Sequence, residues 1–268
     1  MDDVVREIEE ALVGHWSHFG RWERGALVED GGTLRYETPI PHLPYNGVLR
    51  TRIPDATVDE VVPRVVESFR RRGVHFAWWV TPSSQPSDLG ERLEANGLRL
   101  VERAVGMSLD LAGWDAPAPK PGVDYVEVLD ERALDDYAEL IYAYWELPAD
   151  SRALVAAINR FWGPGQAAAH RWLAYADGRP VGKALLSFAA PEGVAAVYGM
   201  SVLPEARGRG VASGLTTTLL GRARDLGCRR VVLHATEMAV GVYARAGFVE
   251  RCPLGVYATA EVWSGRDH

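Results

Sequence analysis

The sequence predicts a mixed α/β fold built as two halves. Three observations carry that expectation. The glycine-bearing turns Gly31-Gly32 and Asp177-Gly178 each separate two short strand-like runs. Stretches with helical apolar spacing lie between those runs, so hairpins and helices are interleaved. The segment Asp115-Ala116-Pro117-Ala118-Pro119-Lys120-Pro121-Gly122 divides the chain, because alternating Pro and Ala favour an extended spacer and cannot continue a helix. The expected domains are residues 1–114 and 123–263, joined by the linker 115–122.

The first half opens with a helix over about residues 4–18, followed by strands near 25–30, 33–38 and 47–53. Thr57-Val58-Asp59-Glu60 has the form of a capping box, with Thr57 at N-cap and Glu60 at N3. The helix it opens holds Pro63 and stops at Gly73. A strand over 75–81, a short helix over 87–96 and a strand over 98–111 complete this half. The second half reads as a strand over 125–128 and helices over 131–145 and 151–162, the latter stopped by Gly163-Pro164-Gly165. Hairpin strands 171–176 and 180–188, a strand over 194–203 and a helix over 211–226 follow. A strand over 230–235, a helix over 239–246 and a strand over 248–258 end it.

The halves show self-similarity. Leu93-Glu94-Ala95-Asn96-Gly97-Leu98 and Tyr243-Ala244-Arg245-Ala246-Gly247-Phe248 both join a strand, a short helix, a glycine and a strand. Duplication explains this order. Two short helices that both use glycine as a C-cap explain it as well.

A length of 268 residues fits two modest domains or one large one at about 100–200 residues each. The hydrophobic fraction of 47% and charged fraction of 24% are those of a soluble globular protein. A net charge of −7 argues against a nucleic-acid partner, which needs a basic face for phosphates. Cys228 and Cys252 have no paired spacing, and His15 and His18 share a helix face without a third ligand nearby, so no metal is expected. The acidic start Met1-Asp2-Asp3-Val4 is no signal peptide, and no apolar run approaches the ~18 residues of a membrane span. A cytoplasmic setting with no membrane partner is the expectation, as a monomer or homodimer.

The chemistry-bearing stretch is Val202-Leu203-Pro204-Glu205-Ala206-Arg207-Gly208-Arg209-Gly210-Val211-Ala212-Ser213, which joins an apolar strand to an amphipathic helix. Its glycines let backbone N–H groups turn inward without Cβ clashes. The first helical turn leaves N–H groups without intrahelical acceptors and carries partial positive charge. Together these suit an anion such as a pyrophosphate. Arg207 and Arg209 add charge. Neither a Walker loop nor a dinucleotide fingerprint fits the glycine spacing.

These residues resemble the GNAT superfamily of N-acetyltransferases. The family signature Arg/Gln-x-x-Gly-x-Gly/Ala is met by Arg207, Gly210 and Ala212. The preceding Val-x-Pro is met by Val202-Leu203-Pro204, and the downstream Tyr-x-x-x-Gly-Phe by Tyr243, Gly247 and Phe248. The resemblance covers about residues 124–258. It implies a mostly antiparallel sheet flanked by helices, duplicated here in tandem with a degenerate first half.

The resemblance also implies acetyl-CoA as co-substrate, lying between the strands 194–203 and 230–235. Its pantetheine would pair with backbone near Ser201, Val202 and Leu203, and its pyrophosphate would meet Arg207, Gly208, Arg209, Gly210, Val211, Ala212 and Ser213. An amine would attack the thioester, a backbone N–H near Met200 to Val202 would stabilise the oxyanion, and Tyr243 would protonate the departing thiolate. The plain alternative for Tyr243 is an aromatic that packs a short helix onto the sheet. Many relatives place an Asn seven residues before this Tyr to touch the cofactor; Thr236 stands there instead, with one donor fewer than an amide.

The general base is not legible. Glu237, Glu146 and His234 are candidates, beside a water-mediated route. Trp145 and Glu146 fall in a region that commonly borders the acceptor in such enzymes, and Glu237 opens a helix. The first half lacks an equivalent loop: Asp55, Asp59 and Glu60 would repel a pyrophosphate, and Leu93 stands where Tyr243 stands. One active site, acting on the amine of a small molecule, is expected. The alternatives are a protein or peptide acetyltransferase and a non-catalytic acyl-CoA-binding sensor.

Overall fold

The computed structural model describes residues 2–117, 122–163 and 168–259. Residues 118–121 of the predicted linker 115–122, Pro164 and Gly165 of the Gly163-Pro164-Gly165 stop, and 260–263 at the end of the second predicted domain lie outside them. The chain divides into two units. Of the described residues, one holds 12–105 and 252–259; the other holds 2–11 and those between 106 and 251. The first helix, α1 (Asp3–Gly20), and the long strands β5 (Arg99–Asp110) and β11 (Val249–Ala258) therefore each contribute to both.

The first unit contains β1 (Ala26–Asp30), β2 (Thr33–Glu37), β3 (Gly47–Thr51), α2 (Val58–Arg72), β4 (Ala77–Val80) and α3 (Leu89–Ala95). Its strand order is β1-β2-β3-β4-β11-β5. The β1–β2 hairpin turns at Gly31 and Gly32 (φ 58° and 81°), which suits the expected Gly-Gly turn. In α2, Val58, Val61, Val62, Val65, Val66 and Phe69 form one buried stripe at helical spacing. That stripe packs with Trp78, Leu89, Leu93 and Leu98. Gly73 ends α2 in the left-handed region, with Gly73 N–H bonded to Arg70 O and Val74 N–H to Phe69 O. The expected capping box does not form. The Thr57 hydroxyl donates instead to Pro54 O at 3.2 Å, so the loop before the helix claims the group that would have capped it.

The second unit contains β6 (Asp124–Glu127), α4 (Glu131–Trp145), α5 (Ala149–Phe161), β7 (Ala169–Ala176), β8 (Arg179–Ser187), β9 (Val194–Val202), α6 (Val211–Asp225), β10 (Arg230–Thr236) and α7 (Glu237–Arg245). Its strand order is β5-β10-β9-β8-β7-β6. The pairs β6·β7, β7·β8 and β8·β9 are antiparallel, whereas β9·β10 is parallel, so the sheet is mixed but mostly antiparallel. Asp177 and Gly178 make the predicted β7–β8 turn with φ of 50° and 73°. A true N-cap opens α4: Asp130 Oδ1 accepts the Ala133 N–H at 2.8 Å.

Two packing details place α6. Gly182 of β8 is so close to Val211 and Leu215 that a Cβ there would lie 3.0 Å from Val211 Cγ1. Gly214 in turn admits the Tyr125 ring of β6: a Cβ on Gly214 would lie 1.8 Å from the Tyr125 hydroxyl. Glycine at both positions lets the helix start lie flat on the sheet.

Candidate active site

The parallel pairing of β9 with β10 is short. It runs Arg230↔Val194, Val231↔Ala195 and Val232↔Ala196, and goes no further. Beyond Ala196, β9 stays paired with β8, through Leu185↔Tyr198, Lys183↔Ser201 and Gly182↔Val202. The far halves of β9 and β10 thus part. The Tyr198 and His234 rings face each other past the last pair, with centroids 5.2 Å apart.

A β-bulge lies on β9 at the same place. Between Lys183↔Ser201 and Leu185↔Tyr198, β8 advances two residues and β9 three. Gly199 takes the extra step at φ 60°, a conformation that glycine adopts without a Cβ penalty. An isolated glycine inside an apolar strand is the sequence signal for such a bulge. The bulge lies directly before Met200, Ser201 and Val202, whose backbone groups the sequence had marked.

The loop after β9 has the expected form. A single 3-10 turn, Pro204–Ala206, leads to Arg207, whose Nε donates to Val202 O at 3.3 Å. Gly208 and Gly210 take φ of 73° and 82°, and Gly210 is the N-cap of α6. Gly210 has no side chain to cap the helix, and the Gly214 N–H bonds to Gly210 O at 3.0 Å. The N–H groups of Val211, Ala212 and Ser213 precede that bond, at the positive end of the helix dipole. Arg207, Gly208 and Arg209 are exposed, and nothing within 4 Å crowds a Cβ position on Gly208. The residues present fit a bound pyrophosphate. Ser201 is buried, Val202 and Leu203 are half-buried, and Leu203 N–H bonds to Val181 O at 2.9 Å. Arg209 lies 4.0 Å from Asp177, an exposed contact of little consequence.

Tyr243 lies in α7, 6% exposed, edge-on to Phe248 with centroids 5.8 Å apart. Burial raises its pKa well above the ordinary value, and Tyr144 of α4 adds to the shift. Tyr243 therefore keeps its proton throughout the physiological range. Thr236 is the N-cap residue of α7, yet its hydroxyl makes no capping bond.

The proposed bases separate. Glu237 is exposed in the first turn of α7, and Glu146 is exposed at the left-handed end of α4 with φ 48°. Trp145 is half-buried, its neighbour Tyr144 edge-on at 5.4 Å. His234 keeps some surface, but enclosure lowers its pKa to about 4, so it stays neutral at pH 7.

One residue beside this site was not singled out by sequence reasoning. Lys183 is 4% exposed, its Nζ donating to Gly199 O at 2.8 Å and sitting 5.2 Å from the Tyr137 ring centroid. Desolvation, with Arg171 adding repulsion, lowers its pKa to about 7. The signal was present: the chain carries 29 Lys and Arg, of which only Lys120 and Lys183 are lysines, and Lys183 interrupts the apolar run Val181-Gly182-Lys183-Ala184-Leu185.

Residues 132–248 match the family model described as "Acetyltransferase (GNAT) family". Over 53 residues the chain is 40% identical to glucosamine 6-phosphate N-acetyltransferase 1 of Oryza sativa subsp. japonica, covering 19% of this chain and about a third (32%) of that enzyme. Among solved structures, the chain is similar to a GCN5-related N-acetyltransferase from Kribbella flavida, with TM-score 0.70 and 17% identity over 97% of this chain and 96% of that one. It is also similar to a tandem GNAT protein from the clavulanic acid biosynthesis pathway, with TM-score 0.61 and 16% identity over 96% and 94%. These two likenesses carry the fold. The stretch matched by the GNAT family model, residues 132–248, holds the β9 strand, the glycine loop and α7 described above.

Proposed function

We propose that this chain transfers an acetyl group from acetyl-CoA to the amine of a small molecule, using one site in the second unit. The observation that carries this reading is the parting of β9 and β10 after Ala196↔Val232, directly beside the glycine loop that opens α6. A gap between parallel strands exposes unpaired backbone groups to an extended ligand arm, and the helix start offers N–H groups to its phosphates. Acetyl-CoA supplies an activated thioester. The chain supplies the rest. Val211, Ala212, Ser213, Arg207 and Arg209 hold the pyrophosphate. Backbone N–H groups after the Gly199 bulge, at Met200 to Val202, stabilise the oxyanion formed when the amine attacks. The carbon–sulfur bond breaks as the carbon–nitrogen bond forms, and the leaving thiolate takes the Tyr243 proton. Thr236 contributes its hydroxyl to cofactor contact.

The first unit has no such loop: the acidic turn at Asp55, Asp59 and Glu60 and the buried Leu93 suit neither pyrophosphate nor proton transfer. We read it as a degenerate copy that takes no CoA. Trp145, Glu146 and Glu237 border the acceptor in this reading.

The test is thiol release from acetyl-CoA against amino acids, polyamines, aminoglycosides, glucosamine 6-phosphate and peptides. Turnover is expected with a small amine, and Tyr243→Phe should lower it by about 10²–10⁴-fold while CoA still binds. Unchanged turnover in that variant removes Tyr243 from the chemistry. Tight CoA binding without turnover on any amine favours an acyl-CoA sensor instead.

A further inference from the structure

We infer that Lys183 is the proton acceptor for the incoming amine, a role carried by its place at the Gly199 bulge rather than by any carboxylate. The inference rests on the acetyl-transfer reading above.

Three observations converge on it. The Lys183 Nζ bonds to the carbonyl of Gly199, the residue whose backbone creates the bulge. The bulge lies just past the last β9–β10 pair, where the amine and thioester would meet. Tyr137, which carries Lys183 on its ring, and Tyr144, which acts on Tyr243, are seven residues apart on α4. Seven helical residues rise roughly 10 Å on one face, so one face of α4 carries both the ring under the Lys183 amine and the tyrosine whose charge acts on Tyr243. A proton acceptor at one end and a donor at the other is the arrangement acyl transfer needs.

The groups facing Lys183 are Tyr137 from α4, Arg171 from β7 and the Gly199 carbonyl from β9. None of these three groups is a carboxylate that would hold the amine cationic. A buried lysine of this kind is neutral for much of the time at pH 7 and has a lone pair to offer. His234, by contrast, holds a proton only in acid, and Glu146 and Glu237 are exposed.

The balance is simple. The attacking nitrogen loses a proton to the Lys183 amine as the carbon–nitrogen bond forms. The thiolate released by carbon–sulfur cleavage takes the Tyr243 proton. Lys183 then returns its proton to solvent, and Tyr243 regains one from it.

The experiment uses the full chain labelled with ¹³C-lysine, which gives two Cε resonances, and Lys183→Met assigns them. The Lys183 resonance is expected to titrate near pH 7 and to shift when CoA is added. Titration near the ordinary lysine value of about 10.4 overturns the proposal. The second readout is the pH profile of kcat/KM for thiol release with the best amine of the panel. Wild type should rise through about pH 7. Both Lys183→Met and Lys183→Arg should lose that limb and fall about 10²–10⁴-fold, with KM for acetyl-CoA little changed, because arginine keeps the charge but cannot accept a proton. An arginine variant that keeps the limb assigns Lys183 to positioning and overturns the proposal. Failure of CoA to bind wild type, with Lys183 still titrating near 7, overturns the acetyl-transfer reading on which it stands.

Discussion

The side-chain nitrogen of Lys183 lies 2.8 Å from the carbonyl oxygen of Gly199, joining β8 to the residue of β9 that steps out of register. The contact couples a side chain to the shape of a backbone. It lets the strand bend where its parallel neighbour departs.

Gly199→Ala tests that coupling. A Cβ there meets Lys183 Nζ and the Tyr137 hydroxyl at 3.6 Å, ordinary contact distances, so space is not the obstacle. The φ of 60° is, and it costs an L-residue roughly 1–2 kcal/mol. The variant is expected to fold with a slightly lowered midpoint in denaturant and to lose about tenfold or more in kcat. Wild-type turnover would show that the bulge does not shape the reaction.

The Gly214–Tyr125 contact tests how α6 is seated. Gly214→Ala places a methyl group within 2.2 Å of the Tyr125 ring, and relief requires α6 or β6 to shift. A loss of about 1–3 kcal/mol in urea unfolding is expected. Tyr125→Phe should behave oppositely, because the Tyr125 hydroxyl is buried without a hydrogen-bond partner. Removing it should be neutral or add about 1 kcal/mol. Destabilisation by Tyr125→Phe would mean that the hydroxyl is satisfied in solution.

Glu7 of α1 tests the anchoring of the chain's first residues. Its carboxylate is hydrogen-bonded by Arg229 and by Arg230, the latter at 2.7 Å, and Arg230 also reaches Asp110 at 2.6 Å. Burial raises the Glu7 pKa, but the two arginines together outweigh it, leaving the pKa below the ordinary 4.5. The sign follows: this stabilisation is present above the unfolded value and is lost as pH falls through the folded one. Glu7→Gln should cost about 2 kcal/mol at pH 7, and the gap to wild type should narrow at an acid pH below the lowered folded value. An equal gap at both pH values would remove the charge from the explanation.

Among the described residues, the helices and strands fall within a few residues of where the sequence placed them, since amphipathic spacing, glycine turns and helix stops are local. It also determined the glycine loop, because Gly208 and Gly210 are required there by backbone conformation alone. Thr57 marks where local reading fails: its hydroxyl had two acceptable partners, and the preceding loop took it. Tertiary structure alone decided the rest. The early end of β9–β10 pairing, the enclosure of Tyr243 and the burial of Lys183 depend on which residues from distant segments meet. So does the division of α1, β5 and β11 between units. A lysine in an apolar run is visible in one dimension. That its amine lies against Tyr137, Arg171 and the Gly199 carbonyl, and loses its charge near neutrality, follows from desolvation that only the folded chain imposes.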